Sequence, residues 1–158
     1  MMSTNRSTAA TTPSKTLTFA YLAAGYTVAG LLAGLGYREL TRHSDFDGFT
    51  QLAVMHTHLL VLGTSMMLVF MLIEAVFRLS AHKFFTAFFW VYNAGVIITS
   101  AMMGVIGYRQ LEGLEHSKAL AGISGTGHIL ITIAFVLFFL CLFRAVKARE
   151  TVSAQPVA

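Results

Sequence analysis

The stretch Val54-Met55-His56-Thr57-His58-Leu59-Leu60-Val61-Leu62-Gly63 decides how this chain is read. It opens an apolar run from Leu52 to Phe77 in which the only ionisable side chains are His56, His58 and Glu74. A helix needs roughly 20 predominantly apolar residues to cross about 30 Å of hydrocarbon, and this run is long enough. Ionisable groups inside such a segment are costly and usually have a task.

Three more bilayer-length runs flank it, at Thr16 to Tyr37, Phe84 to Ile106 and Ile123 to Phe143. Of the 158 residues, 56% are hydrophobic and 11% charged. The mean hydropathy of +0.69 is far from that of a soluble domain of this size. These observations predict an all-α, integral membrane four-helix domain over 16–146, between disordered segments at 1–15 and 147–158. The first apolar run is too long for the core of a secretory signal and has no clear cleavage site, so it is expected to stay as the first span. The single Cys141 excludes an internal disulfide and any CxxC metal site, and is expected to pack as a small apolar residue.

The net charge of +4 does not point to nucleic acid, because the basic residues are scattered over loop ends. Topology accounts for them better. With both termini in the cytoplasm, the inner segments hold Arg6, Lys15, Arg78, Lys83, Arg144, Lys147 and Arg149, against Arg38, Arg42, Arg109 and Lys118 outside. The positive-inside rule favours that orientation. The short stretch Leu79 to Lys83 makes spans two and three antiparallel neighbours. Trp90 and Tyr92 fall where an aromatic belt is expected. The small residues of span one, Ala23 to Gly36, are read as close packing rather than as a ligand channel.

In this topology spans two and four run the same way, and His56 and His128 lie at similar distances into them. At about 1.5 Å per residue both sit roughly 9 Å below the outer boundary. On a helix, positions i and i+2 are separated by about 200°, so His56 and His58 project from nearly opposite faces. One ion does not easily take both from one helix. The helix can instead ligate two cofactors, or two copies of it can sandwich one.

Haem b suits that arrangement, since bis-imidazole ligation places axial ligands on opposite faces of a flat macrocycle in an apolar pocket. The propionates would need partners nearer the surface, and the repeated Gly36-Tyr37-Arg38 and Gly107-Tyr108-Arg109 supplies Tyr37, Arg38, Tyr108 and Arg109 on the histidine side. Juxtamembrane Tyr and Arg are also common interface anchors. His56, His58 and His128 are alternatively ligands for copper or zinc, or neutral rings hydrogen-bonding across helices. His128 is equally readable as a group supporting a ligand. No site is assigned to His43, His82 or His116. Glu74 is expected to reach toward Arg78, one helical turn on.

The layout Tyr37-Arg38-Glu39, Gln51 to Gly63, Phe89-Trp90-Val91-Tyr92-Asn93 and Ile123-Ser124-Gly125-Thr126-Gly127-His128-Ile129 resembles a family of small four-span bacterial membrane proteins catalogued as a domain of unknown function. That resemblance covers about 16–143 and implies a place in the bacterial cytoplasmic membrane. The His-x-His of span two is also similar, more distantly, to that of the haem-copper oxidase catalytic subunit, whose haem-bearing helices are each second in a group of four. This second resemblance implies a homotrimer with each haem between neighbouring protomers, held by His56 of one and His58 of the next. The oxidase's copper-site histidine motifs have no counterpart here, so a complete oxidase or reductase is not expected.

The functions that follow are electron transfer or redox or gas sensing by a haem b protein, with a quinone or another membrane redox partner. The alternatives are a copper or zinc module built on histidines at an oligomer axis, and a structural membrane subunit without cofactor.

Overall fold

The computed structural model describes residues 14–44, 46, 48–114 and 118–153. Four helices long and apolar enough to cross a membrane are present: α1 (Lys15–His43), span two (Leu52–Phe77), α4 (Phe85–Leu111) and α5 (Lys118–Ser153). Span two is composite. It begins as the α-helix α2 (Leu52–His58), widens into a π-helical segment (Leu59–Ser65), and resumes as α3 (Met66–Phe77). The expected disorder at 1–15 lies almost wholly outside the described residues, as do Asp45, Asp47, Glu115, His116 and 154–158.

Span two has the bounds drawn from hydropathy, Leu52–Phe77, whereas α1, α4 and α5 run past theirs. α1 continues past Tyr37 to His43, and Ser44 donates its N–H to the Leu40 carbonyl at 3.1 Å. At its start, the Ser14 side chain accepts the Leu17 N–H at 3.2 Å, an N-cap. α4 is closed off, just past its C-cap Glu112, by Gly113, whose φ of +65° is the left-handed conformation that glycine adopts without a Cβ penalty. α5 starts at Lys118 and runs to Ser153, so the stretch from 147 expected to be disordered is helical to that point. Its last turns are tied down: Ala145 is buried, and Arg149 Nη1 donates to the Val76 carbonyl at 3.0 Å.

In lipid, hydrocarbon tails are as apolar as Leu, so close contact and hydrogen bonds decide helix association. α1 lies along span two, span two also meets α4, and α5 packs mainly on α4. Glycines set the closest approaches. A Cβ on Gly127 of α5 would lie 2.3 Å from Thr99 Oγ1 and 2.9 Å from Thr99 N on α4. A Cβ on Gly107 of α4 would lie 2.3 Å from Leu52 N, and there Thr50 donates its hydroxyl to the Gly107 carbonyl at 2.8 Å.

The other end of the bundle is held by rings. Phe70 of α3 meets Phe88, Tyr92 and Phe138 at centroid distances of 5.0 Å, and Phe19 of α1 at 6.1 Å. The pairs with Phe88 and Tyr92 are edge-to-face, and such pairs add about 0.5–1.5 kcal/mol each beyond area burial. Cys141 is fully buried beside them, as expected. Large apolar side chains face outward, Leu32, Ile129 and Val136 among them, as a lipid-exposed surface requires.

Gly127→Ala is expected to cost roughly 1–3 kcal/mol, because both α4 backbone and a buried hydroxyl block the new methyl. Gly125→Ala, where a Cβ would meet nothing within 4 Å, should leave stability unchanged or slightly raised. Thermal unfolding of the two variants in detergent distinguishes them.

Candidate functional site

The π-helical segment begins at the residue after the His-x-His turn. A π turn is rare, and it frees backbone carbonyls from the ordinary i→i−4 ladder. Here side chains from both neighbouring helices take up the difference. Tyr92 of α4 donates its hydroxyl to the Leu62 carbonyl at 2.9 Å. The Tyr26 ring of α1 fills the place of a side chain at Gly63, where a Cβ would lie 2.5 Å from Tyr26 Cγ. Thr27 donates to its own helix at Ala23 (2.8 Å), so in its 3.0 Å contact with Thr64 of the π segment, Thr64 is the donor. Within the segment, Ser65 Oγ donates to the Leu60 carbonyl five residues back at 3.1 Å.

This brace also corrects the reading of Tyr92 as a belt residue. Tyr92 is fully buried, whereas Trp90 is 67% exposed. Tyr26 in turn donates to Asn93 Oδ1 at 2.9 Å, and Asn93 Nδ2 donates to the Phe89 carbonyl at 2.8 Å. Sequence reading passed over Tyr26 and Asn93; a buried amide and phenol inside apolar runs were the available signal.

Both histidines of the motif lie in the regular α-helical turn, so their opposite-face geometry stands. His56 is half-buried and faces α1, where a Cβ on Gly34 would lie 3.6 Å from its ring. Its Nδ1 is buried and, among the described residues, has no hydrogen-bond partner. His58 is half-buried, and its Nδ1 lies 2.9 Å from the Val54 carbonyl. A carbonyl only accepts, so Nδ1 carries the proton, and Nε2 is the nitrogen left to act as an acceptor or ligand. His128 repeats the arrangement on α5, with Nδ1 at 3.3 Å from the Ser124 carbonyl, and is exposed.

The three rings do not gather within one chain. Among the described residues, no group of three or more His, Cys, Asp or Glu side chains is placed to hold a metal ion. The expected common depth is also off. Measured from the Gly107–Leu52 contact at about 1.5 Å per residue, His56 lies roughly 6 Å into the bundle and His128 roughly 13 Å. Gly127 sets the deeper level by docking against Thr99 rather than nearer the end of α4.

The two Gly-Tyr-Arg triplets occupy unlike places. Gly36 has open space around it, Tyr37 is half-buried and Arg38 is exposed, within α1 rather than at its end. Gly107 is the tight contact with Leu52, Tyr108 is 50% exposed and Arg109 is half-buried. Glu74 is not turned toward Arg78: it is buried, and Ser80 donates both its N–H (2.9 Å) and its hydroxyl to the carboxylate.

The fold and its polar interior define a four-span, all-α membrane bundle with a histidine turn and a braced π-helical segment in its second span. A family model for proteins of unknown function, DUF2871, matches residues 17–145, and the chain belongs to that family. No curated protein and no solved structure matches it. The likeness to the haem-copper oxidase subunit therefore rests on the His-x-His motif and the span count alone.

Tyr92→Phe removes the donor to the Leu62 carbonyl and should cost about 1 kcal/mol, seen as a lower midpoint in thermal unfolding. Trp90→Phe, at an exposed position, should leave the midpoint unchanged.

Proposed function

We propose that this protein is a haem b-binding protein of the bacterial cytoplasmic membrane, working in electron transfer or in redox or gas sensing. One observation carries the reading: among the described residues, none of His56, His58 and His128 makes a hydrogen bond to another helix. His58 and His128 bond only to carbonyls of their own helices, and the buried His56 Nδ1 bonds to nothing. Interhelical glue requires those cross-helix bonds, and buried polar groups are otherwise satisfied. His58 and His128, oriented through Nδ1, have Nε2 left to act as a ligand atom.

The residues present fit a haem. Two half-buried imidazoles on opposite faces of an apolar helix are a suitable axial donor set, and such a group, when bound, supplies one-electron chemistry. Since one helix presents the two rings in opposite directions, each haem takes His56 from one protomer and His58 from another, in a homotrimer. The Val54 carbonyl fixes the tautomer of His58, and Gly34 leaves room for the His56 ring. Arg38, Arg109, Tyr37 and Tyr108, toward the same end, are the candidates to meet the propionates. Both termini face the cytoplasm, and the redox partner is a quinone or another membrane component.

A copper or zinc site formed by copies of one histidine at the oligomer axis is the competing reading, with His128 the exposed candidate. The absorbance spectrum of detergent-purified protein, oxidised and dithionite-reduced, with metal analysis of the same sample, separates the two. We expect a Soret band with sharp α and β bands on reduction, lost in both His56→Ala and His58→Ala while the helical circular dichroism persists. A colourless protein that contains copper or zinc and fails to take up added haem would overturn the haem reading.

A further inference from the structure

At the end of the bundle away from the histidine turn, α3 gives way to a short 3₁₀ turn (Leu79–Ala81) through Arg78. Arg78 has φ +53° and ψ +52°, and among the described residues it is the only non-glycine with a positive φ. That left-handed position usually holds glycine, because any other L-residue pays for its Cβ there. Arg78 occupies this conformation at a backbone cost that glycine would not incur.

Arg78 borders a pocket of about 370 Å³ between the end of span two and the last turns of α5. His82 and Arg149 border it too. Arg149 is anchored by its bond to the Val76 carbonyl and by its guanidinium 5.5 Å from the Phe77 ring centroid. Phe77, Val76, Ala145 and Ala148 supply an apolar wall. Glu74, the acid one turn before Arg78, is buried against Ser80 and does not line the pocket. The pocket therefore brings Arg78, Arg149 and His82 beside apolar side chains, at the end of a helix long and apolar enough to cross a membrane.

We propose that this pocket binds the phosphodiester headgroup of an anionic phospholipid, with Arg78 and Arg149 on the phosphate and the apolar wall along the start of an acyl chain. Guanidiniums match phosphate oxygens in bidentate fashion, and basic pockets between spans suit anionic headgroups. A free phosphate would leave the apolar wall unused. Lys83 and Arg144 belong to a separate arrangement, each over the Phe84 ring at 4.9 Å and 5.1 Å.

The test is thermal unfolding of delipidated full-length protein in an uncharged detergent, with phosphatidylglycerol, phosphatidylcholine or inorganic phosphate added. The wild type is expected to melt higher with phosphatidylglycerol alone. Arg78→Gly, relieved of its strained backbone, should melt no lower than the wild type without lipid, yet lose most of the phosphatidylglycerol shift. Arg149→Gln should lose it as well, and Lys83→Gln should retain it. A full shift in both Arg78→Gly and Arg149→Gln, or equal shifts from phosphatidylcholine or inorganic phosphate, would overturn the proposal.

Discussion

The structure depends on how the π-helical segment of span two is held. An α-helix crossing a bilayer satisfies its own backbone, and a π segment upsets that self-sufficiency where no water stands by to repair it. The Tyr92 hydroxyl at the Leu62 carbonyl, the Tyr26 ring against Gly63 and the Thr64–Thr27 bond make the repair from two neighbouring helices at once. Because a π turn adds a residue relative to the α spacing, it also rotates everything beyond it by about 100°. The His-x-His turn on one side and the Phe70 ring cluster on the other are thereby set in a fixed angular relation that neither segment determines alone.

The glycines act on the same relation from the other direction. Gly107 brings α4 against the start of α2, and Gly127 brings α5 against Thr99 well below that level. These two contacts fix the heights of His56 and His128, and they put the rings at different depths. A site joining all three histidines in one chain would need them level and facing one another. The structure instead puts His56 and His58 on either side of span two and leaves His128 exposed on α5. In the proposed assembly, the donor set is completed by a second copy of the chain.

The spans were legible because length and hydropathy are the signals a bilayer imposes, and the pairing of spans two and three followed from the short stretch between them. Helix ends were less legible: residues 38–43 and 118–122 are mixed in polarity and become helical by continuing a helix already begun. The π segment left no trace in apolar periodicity, since Leu59-Leu60-Val61-Leu62 reads alike in either helix type. Its cause lies in long-range partners, Tyr26, Thr27 and Tyr92, which no local window contains. His56 and His58 stood out as charges-in-waiting within an apolar run, while Tyr92 was misplaced in a belt because its depth was judged from its position in the span rather than from its hydroxyl. The misreading of Glu74 has the same origin, for the Ser80 that engages it follows a left-handed residue that helical spacing does not anticipate.

The central functional claim is that two protomers share one haem, and co-expression of His56→Ala and His58→Ala chains carrying different affinity tags tests it most directly. Each variant alone lacks one axial ligand at every site, but an oligomer containing both has a junction where intact His56 meets intact His58. The account predicts that tandem-purified mixed oligomers regain the sharp reduced α and β bands at a fraction of their sites. Mixed oligomers no different from the single variants would contradict it and return both ligands to one chain.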